Sequence, residues 1–190
     1  FTEPYVYDTE WTFGFDLYRS KKEVQDIYER TKRGGAIRIG HPLAPYLRGF
    51  VRYKNDVTDV DLESGDPLVF PVDTVNGRTS SLTFTLEYDK RDDRLSPQDG
   101  IYANASIEYA GVGGDKEYTM TTGTFRFYQK IIWDLVWRNN ISYGLITAPS
   151  GRKPPFDELF LLGGANSLRG YQFGRVGKQI MDSTNKLVPF

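Results

Sequence analysis

The stretch Trp11-Thr12-Phe13-Gly14-Phe15-Asp16-Leu17-Tyr18 decides the fold class of this chain. The residues at positions 11, 13, 15 and 17 are all large and apolar, and those at positions 12, 14 and 16 are Thr, Gly and Asp. Side chains of a β-strand point alternately to its two faces, so the stretch predicts a strand with one wholly apolar face. The sequence therefore indicates an all-β architecture.

The same alternation returns at intervals along the chain. The apolar sets are Ile37 and Ile39; Leu47, Gly49, Val51 and Tyr53; Leu82, Phe84, Leu86 and Tyr88; Ile101, Ala103, Ala105, Ile107 and Tyr109; and Trp133, Leu135, Trp137, Ile141 and Tyr143. The positions between them carry polar and charged residues, among them the cations Arg48, Arg52 and Lys54. With a Thr-rich run at 118–128, these stretches predict about seven antiparallel strands.

Alternation alone fits a soluble sandwich with its apolar faces inside and a membrane barrel with its apolar faces outside. The connector lengths favour the barrel, because outer-membrane barrels alternate short periplasmic turns with long extracellular loops. Short connectors are predicted at 41–46 and 129–131, and long polar ones at 20–33, at 59–79 and from 146 onward, with the short 111–116 loop as an exception. No apolar run approaches the ~20 residues of a spanning helix, whereas a spanning strand needs only about 9 to 11.

The composition excludes several other functions. The chain has 24 Lys and Arg against 25 Asp and Glu, so it lacks the basic excess that binding a nucleic-acid backbone requires. It has no Cys, its one His precedes a proline at a predicted turn, and its acids show no metal-binding spacing. We therefore predict no nucleic-acid partner, no cofactor, no metal and no enzymatic activity. The 13 Tyr, 12 Phe and 3 Trp suit a membrane boundary, or alternatively an ordinary β-rich core.

Two motifs lie outside the predicted strands. The first is a turn at 89–100 that contains Arg91, Asp92, Pro97 and Gly100. Pro97 fixes φ and Gly100 supplies a positive φ before the next strand, which is also what a plain polar turn requires.

The second motif lies in the long polar segment that follows the last strand. It consists of Gly163, Gly164, Leu168, Arg169, Gly170 and Tyr171. Its glycines allow sharp bends. Arg169 is either a solvated loop charge or, if the loop folds back into a polar lumen, an anchor paired with a carboxylate.

In this order, the strands, the turn and the loop motif resemble the barrel of BamA-type outer-membrane assembly factors of the bacterial surface antigen superfamily. The resemblance implies that 1–190 is a fragment of a C-terminal barrel of about 16 strands, without its POTRA domains, ending within the sixth extracellular loop. It implies that the turn at 89–100 is periplasmic. It also implies that the loop tucks into the lumen, where Arg169 contacts strands that follow the loop.

The resemblance implies a function as well: the folding and insertion of outer-membrane proteins at the bacterial outer membrane. The implied partners are unfolded outer-membrane proteins, accessory outer-membrane lipoproteins and membrane lipid. A two-partner secretion pore or a TamA-like translocation factor of the same superfamily is an alternative. Two other classes are a soluble ligand-binding barrel or sandwich, and an outer-membrane hydrolase that would use His41 with Ser80 or Ser81.

Overall fold

A single antiparallel sheet dominates the computed structural model, which describes residues 1–24, 28–62, 75–160, 162–165, 167–171, 176, 179–181 and 187–189. Each strand pairs with its neighbours in the chain, in the order β1 to β8. The strands are β1 (Thr2–Glu3), β2 (Thr12–Val24), β3 (Tyr28–Ala44), β4 (Leu47–Leu62), β5 (Gly77–Arg91), β6 (Gly100–Ala110), β7 (Tyr118–Ile132) and β8 (Leu135–Thr147). The predicted all-β antiparallel fold with seven long strands is confirmed.

Short elements complete the described fold. Two 3-10 helices, η1 (Val6–Asp8) and η2 (Phe156–Glu158), precede β2 and follow β8. The strands β9 (Gln179–Met181) and β10 (Leu187–Pro189) pair with each other outside the main sheet. None of the helices in the described ranges is both long enough and apolar enough to cross a membrane. The main sheet does not close on itself within the described residues, and the total of about 16 strands stays a prediction.

The register of the strands places side chains of the same kind opposite one another. The sheet therefore has two distinct faces that extend across all its long strands. Phe13 pairs with Ile39, Ile39 with Val51, Val51 with Phe84, and Phe84 with Ile107, which forms one continuous apolar row. We name the side that carries this row the apolar face. The row one residue along, which contains Arg38, Arg52, Thr83 and Glu108, lies on the opposite side, named here the polar face.

Burial in this sheet is the inverse of burial in a soluble protein. Phe84 is 49% exposed, Ile107 47% and Ile141 64%, all on the apolar face. On the polar face, by contrast, Asp56, Thr58, Thr79 and Ser81 are buried. A soluble protein rarely exposes an apolar surface that runs across many strands. This arrangement agrees with the predicted sense of a membrane barrel, apolar outside and polar inside, rather than with a soluble sandwich, whose apolar faces lie inside.

Some connectors predicted from the sequence differ in the structure, in that strands occupy part of the predicted range. Within the charged stretch 20–33, residues 20–24 continue β2 and residues 28–33 belong to β3 as a paired ladder, with Ser20 opposite Lys32 and an ion pair of 2.7 Å between Lys21 and Glu29. The 17 residues of β3 extend about 58 Å at ~3.4 Å per residue, well beyond the ~30 Å hydrocarbon layer even when tilted. This end of the hairpin therefore lies in water, where charges suit both faces.

The turn predicted at 129–131 lies at Trp133 and Asp134 instead. Residues 129 and 130 remain paired with β8, and Trp133, predicted to lie in a strand, takes a left-handed φ of 50° in the turn. In the same way the turn predicted at 41–46 narrows to Pro45 and Tyr46. The short 111–116 loop is confirmed between β6 and β7.

The two faces of β5 should respond differently to a charge. Phe84→Arg at mid-strand places a guanidinium against hydrocarbon and should lower the free energy of unfolding by about 2–4 kcal/mol, besides the loss of the ring. Thr85→Arg, one residue along on the polar face, should cost far less. Urea unfolding of the complete protein in lipid vesicles measures both. Equal destabilisation by the two substitutions would contradict the assignment of the faces.

Candidate functional site

The first candidate site is the turn between β5 and β6, and the structure brings its four predicted residues together. Arg91 is the last residue of β5 and pairs in register with Gly100, the first residue of β6. Its guanidinium binds both carboxylate oxygens of Asp89, at 2.8 and 2.9 Å. This two-point contact fixes the Arg91 side chain on the polar face at the end of β5, because planar guanidinium and carboxylate groups match each other. Pro97 is buried beneath the turn.

The carboxylate of Asp92 organises the turn itself. It accepts backbone N–H bonds from Asp93, Gln98 and Asp99 at 2.8, 3.0 and 3.2 Å. These N–H groups, that of Asp99 above all, lower the pKa of the Asp92 carboxyl, because they stabilise its charged form. Asp92 is thus a local structural residue, which agrees with the interpretation of the segment as a turn. The predicted periplasmic position of the turn stays a prediction.

The second candidate site is the loop motif, which folds into a closed turn of its own. The N–H of Gly164 donates to the carbonyl of Tyr171 at 2.8 Å, and Ser167 Oγ both accepts from Gly163 N–H and donates to Gly163 O. Gly163, Gly164 and Gly170 have φ values of 115°, 92° and 91°, which disfavour any other residue type. Asn166, which lies between Gly164 and Leu168 in the sequence, is outside the described residues.

The larger side chains of the motif lie at the surface of the described structure. Leu168, Arg169 and Tyr171 are exposed. No hydrogen bond or ion pair joins Arg169 to the described part of the chain. The predicted pairing of Arg169 with strands beyond the loop therefore stays a prediction.

The segment that leads into the motif is anchored on the far side of the polar face, and sequence reasoning missed this contact. Helix η2 follows β8, yet its acids bind β3: Asp157 Oδ2 lies 3.3 Å from Arg30 Nη1, and Glu158 Oε1 lies 2.9 Å from Lys32 Nζ. Two residues after Glu158, the ring of Phe160 packs against Gly144 of β8 so closely that a Cβ at position 144 would collide with it. We name residues 156–160 the anchored limb.

Several charged side chains around the anchored limb are buried, and their burial shifts the pKa values of two of them. The Asp157 side chain is fully buried, and this burial raises the pKa of its carboxyl despite the cations nearby. Burial likewise lowers the pKa of the Lys116 ammonium, which precedes β7. The second contact of Lys32, 3.5 Å to Asp56, ties the cluster to β4. The limb is therefore held by two cations of β3, and one of them, Lys32, is also tied to β4.

A weak signal for this contact was present in the sequence. Arg30 and Lys32 are two residues apart, so they share a face of any strand, and the acids Asp157 and Glu158 lie just before the Gly-Gly pair. Because the sequence predicts a connector at 20–33, it predicts no shared strand face for these two cations. The hydrolase alternative gains no support, because Ser80 bonds the Tyr53 hydroxyl at 2.8 Å, while the ring of His41 packs 4.5 Å from that of Trp11.

Comparison with known proteins gives the family. The Omp85 superfamily domain matches residues 1–187. The chain belongs to the Omp85 superfamily. Its sheet superposes on the crystal structure of BamA from Haemophilus ducreyi lacking POTRA domains 1–3, with a TM-score of 0.80 and 19% identity over 95% of this chain and 38% of that chain. The resemblance to BamA-type barrels is thereby confirmed, and this Omp85 chain has the fold of their barrel.

Sequence relatives of this Omp85 chain include bacterial and animal proteins. The outer membrane protein assembly factor BamA of Nitratidesulfovibrio vulgaris is 23% identical over 98% of this chain. The SAM50-like protein CG7639 of Drosophila melanogaster is 29% identical over 70% of this chain. The chain spans only 24% and 30% of the lengths of these two relatives.

The Omp85 turn should require glycine at its end. Gly100 has a φ of 112°, and a Cβ there would collide with the backbone of Lys90 and Arg91. We expect Gly100→Ala to lower the free energy of unfolding by roughly 1–3 kcal/mol. Gly113→Ala, at a φ of 87° with open space around it, is the matched control and should cost less. Denaturant unfolding distinguishes the two, and equal costs would show that the backbone collision does not matter.

The anchored limb should depend on the charges that hold it. Arg30→Asp and Asp157→Arg should each release the limb and speed proteolysis at 151–171, since a contact to a buried charge contributes about 1.5–3 kcal/mol. The double exchange should restore protection. Arg33→Asp breaks an exposed pair of 3.7 Å with Asp59 and serves as control. If the double exchange is cleaved as fast as either single variant, the ion pair does not anchor the limb.

Proposed function

We propose that this chain forms part of the barrel of an outer-membrane assembly factor, which folds and inserts other outer-membrane proteins. The observation that carries the proposal is the kind of relative found: a bacterial protein named as an outer membrane protein assembly factor aligns with 98% of this chain. The SAM50-like relative and homologues of sorting and assembly machinery component 50 agree with it. The inverted faces of the sheet support a barrel that works in lipid.

The proposed mechanism involves no covalent step. An exposed strand edge offers unpaired N–H and C=O groups to a substrate strand, which adds to the sheet by β-augmentation. In hydrocarbon this pairing is strongly favoured, because no water can satisfy those groups. We therefore propose a non-enzymatic function that needs no cofactor. Unfolded outer-membrane proteins are the proposed substrates, and accessory outer-membrane lipoproteins and membrane lipid the proposed partners.

The proposed location is the bacterial outer membrane. Outer-membrane placement follows from the BamA-like barrel and from the name of the bacterial relative. Animal proteins are also among the relatives, so the bacterial assignment is supported more narrowly, by the BamA proteins alone. The two-partner secretion and TamA-like alternatives remain in the same superfamily, but the relatives named above favour assembly.

A direct test of the function uses the complete protein that contains this chain. Reconstituted into lipid vesicles, it should accelerate the folding of an unfolded outer-membrane barrel added from denaturant, as followed by the resistance of the folded product to protease. Vesicles that carry an unrelated outer-membrane barrel at equal density are the control. Equal folding rates in both vesicle types would contradict an assembly function.

We further propose that Arg169 braces the lumen and holds the barrel in a competent shape. The support is the closed turn that presents Arg169 together with the limb that leads this loop across the polar face. In this proposal the limb and Arg169 are successive anchors of one loop. A guanidinium suits the second anchor because it stays charged and bonds at two points.

Replacing Arg169 should therefore impair the complete protein in cells. Arg169→Ala should lower the amount of folded outer-membrane proteins several-fold and slow growth, and Arg169→Lys should rescue only partly, because an ammonium lacks the planar fork. Arg152→Ala is the control. Arg152 lies in the same segment after β8 as Arg169, and the substitution removes only its exposed ion pair of 2.9 Å with Glu117. Normal assembly and growth with Arg169→Ala would refute the bracing role while leaving the vesicle assay intact.

A further inference from the structure

Four arginines converge on one basin at the end of the polar face where the β5–β6 turn lies. The basin has a volume of about 390 Å³. Its cations are Arg91 at the end of β5, Arg94 in the turn, Arg126 on β7 and Arg138 on β8, and no acidic residue is among its lining side chains. They come together through register, because Arg126 lies opposite Tyr102 and Arg138 lies opposite Tyr128.

The carboxylates nearby do not neutralise the basin. Asp89 serves two guanidinium groups at once, those of Arg91 and Arg94, the latter at 3.2 Å. The other acids of the turn that approach it, Asp92 and Asp93, direct their oxygens to backbone N–H groups of the turn.

The two arginines on β7 and β8 have no acidic partner of their own. Within the described ranges, no carboxylate oxygen lies within 4.0 Å of the Arg126 or Arg138 guanidinium. The Nε of Arg126 donates only to the neutral amide of Asn140, at 3.4 Å. The lining of the basin therefore carries an excess of positive charge.

An aromatic ring holds two of these cations in place. The guanidinium carbons of Arg91 and Arg126 lie 4.8 and 5.4 Å from the ring centroid of Tyr102. The Tyr102 hydroxyl donates to Glu87 at 3.2 Å, which fixes the ring. A guanidinium that rests on an aromatic ring keeps N–H groups at its edge, where an oxyanion can accept two of them. The basin is therefore preorganised for oxyanions.

We propose that this basin binds an acidic peptide segment that reaches it from the aqueous side of the turn. The arginines are spread over β5, β7 and β8, which at ~4.8 Å per strand spans about 14 Å. That span exceeds one oxyanion and suits several carboxylates along an extended segment. The proposal goes beyond assembly, because it names a recognition chemistry that insertion of a strand does not require.

A lipid headgroup fits the basin less well than a peptide does. The side chains that alternate with the arginines, Phe125 and Trp137, are exposed on the apolar face, so the arginines point away from lipid. A cation placed for a headgroup is Lys90 instead, which is exposed, faces the apolar side and lies 5.9 Å from the ring of Tyr46.

The test measures peptide binding by the complete protein in detergent. A fluorescent peptide of alternating Glu and Gly should bind with an affinity that falls as salt rises, and its Gln counterpart should not bind. Arg126→Gln combined with Arg138→Gln should weaken binding at least about tenfold. The matched control combines Arg19→Gln and Arg33→Gln, a cross-strand arginine pair in the polar extension of β2 and β3, and should leave the affinity unchanged.

A second measurement needs no substitution. Phenylglyoxal modification of the unaltered protein, mapped by mass spectrometry, should show that the Glu peptide protects Arg126 and Arg138 but not Arg19. The proposal is overturned by equal binding of the Gln peptide, by an unchanged affinity of the double variant, or by the absence of protection. It is also overturned if soluble short-chain phosphatidylglycerol displaces the peptide completely, which would assign the basin to a lipid phosphate. None of these outcomes bears on the vesicle assay.

Discussion

The hydrocarbon layer imposes the constraint on which the rest of this structure depends: every backbone polar group within it must be paired inside the protein. Between neighbouring strands, the seven long antiparallel strands meet this requirement through continuous ladders, whereas the outer edge of β8 has no partner strand among the described residues. The same solvent reverses the usual sense of burial, so rings such as Phe84 face outward while Asp56 and Ser81 on the polar face are buried. The inverted faces and the paired ladders are two effects of one solvent.

A polar interior changes how loops can be held. In a soluble core an acid such as Asp157 would be costly to bury, whereas here β3 already presents Arg30 and Lys32 on the same face. The sheet itself only partly neutralises these cations. An acidic segment that enters the interior therefore pairs with them, and the cations in turn stabilise its buried carboxylates. The acids of the anchored limb provide this neutralising charge. At the other end of the same face lies the arginine basin, whose cations the described residues do not fully neutralise.

The sequence could predict the strands wherever the hydrocarbon constrains them and failed where it does not. Trp11 to Tyr18 alternates strictly because one face meets lipid, and its strand was predicted correctly. Beyond the bilayer, residues 20–24 and 28–32 are still paired, but charges occupy both faces, so no alternation marks these strand ends. The turn at Trp133 was misplaced for a similar reason, since Gln129 and Lys130 are polar enough for a connector and yet remain in the ladder.

Local sequence patterns cannot predict contacts between distant parts of the chain. They can, however, predict which side chains of a strand share a face. The residues Arg30 and Asp157 are separated by 127 positions, and nothing in either neighbourhood specifies the other. Once β3 is known, however, the spacing of Arg30 and Lys32 places both cations on the polar face. The limb that binds them also packs Phe160 onto Gly144 of β8, so it bridges strands that are five apart in the sheet. Any change in the curvature of the sheet between β3 and β8 alters the distance that the limb must span.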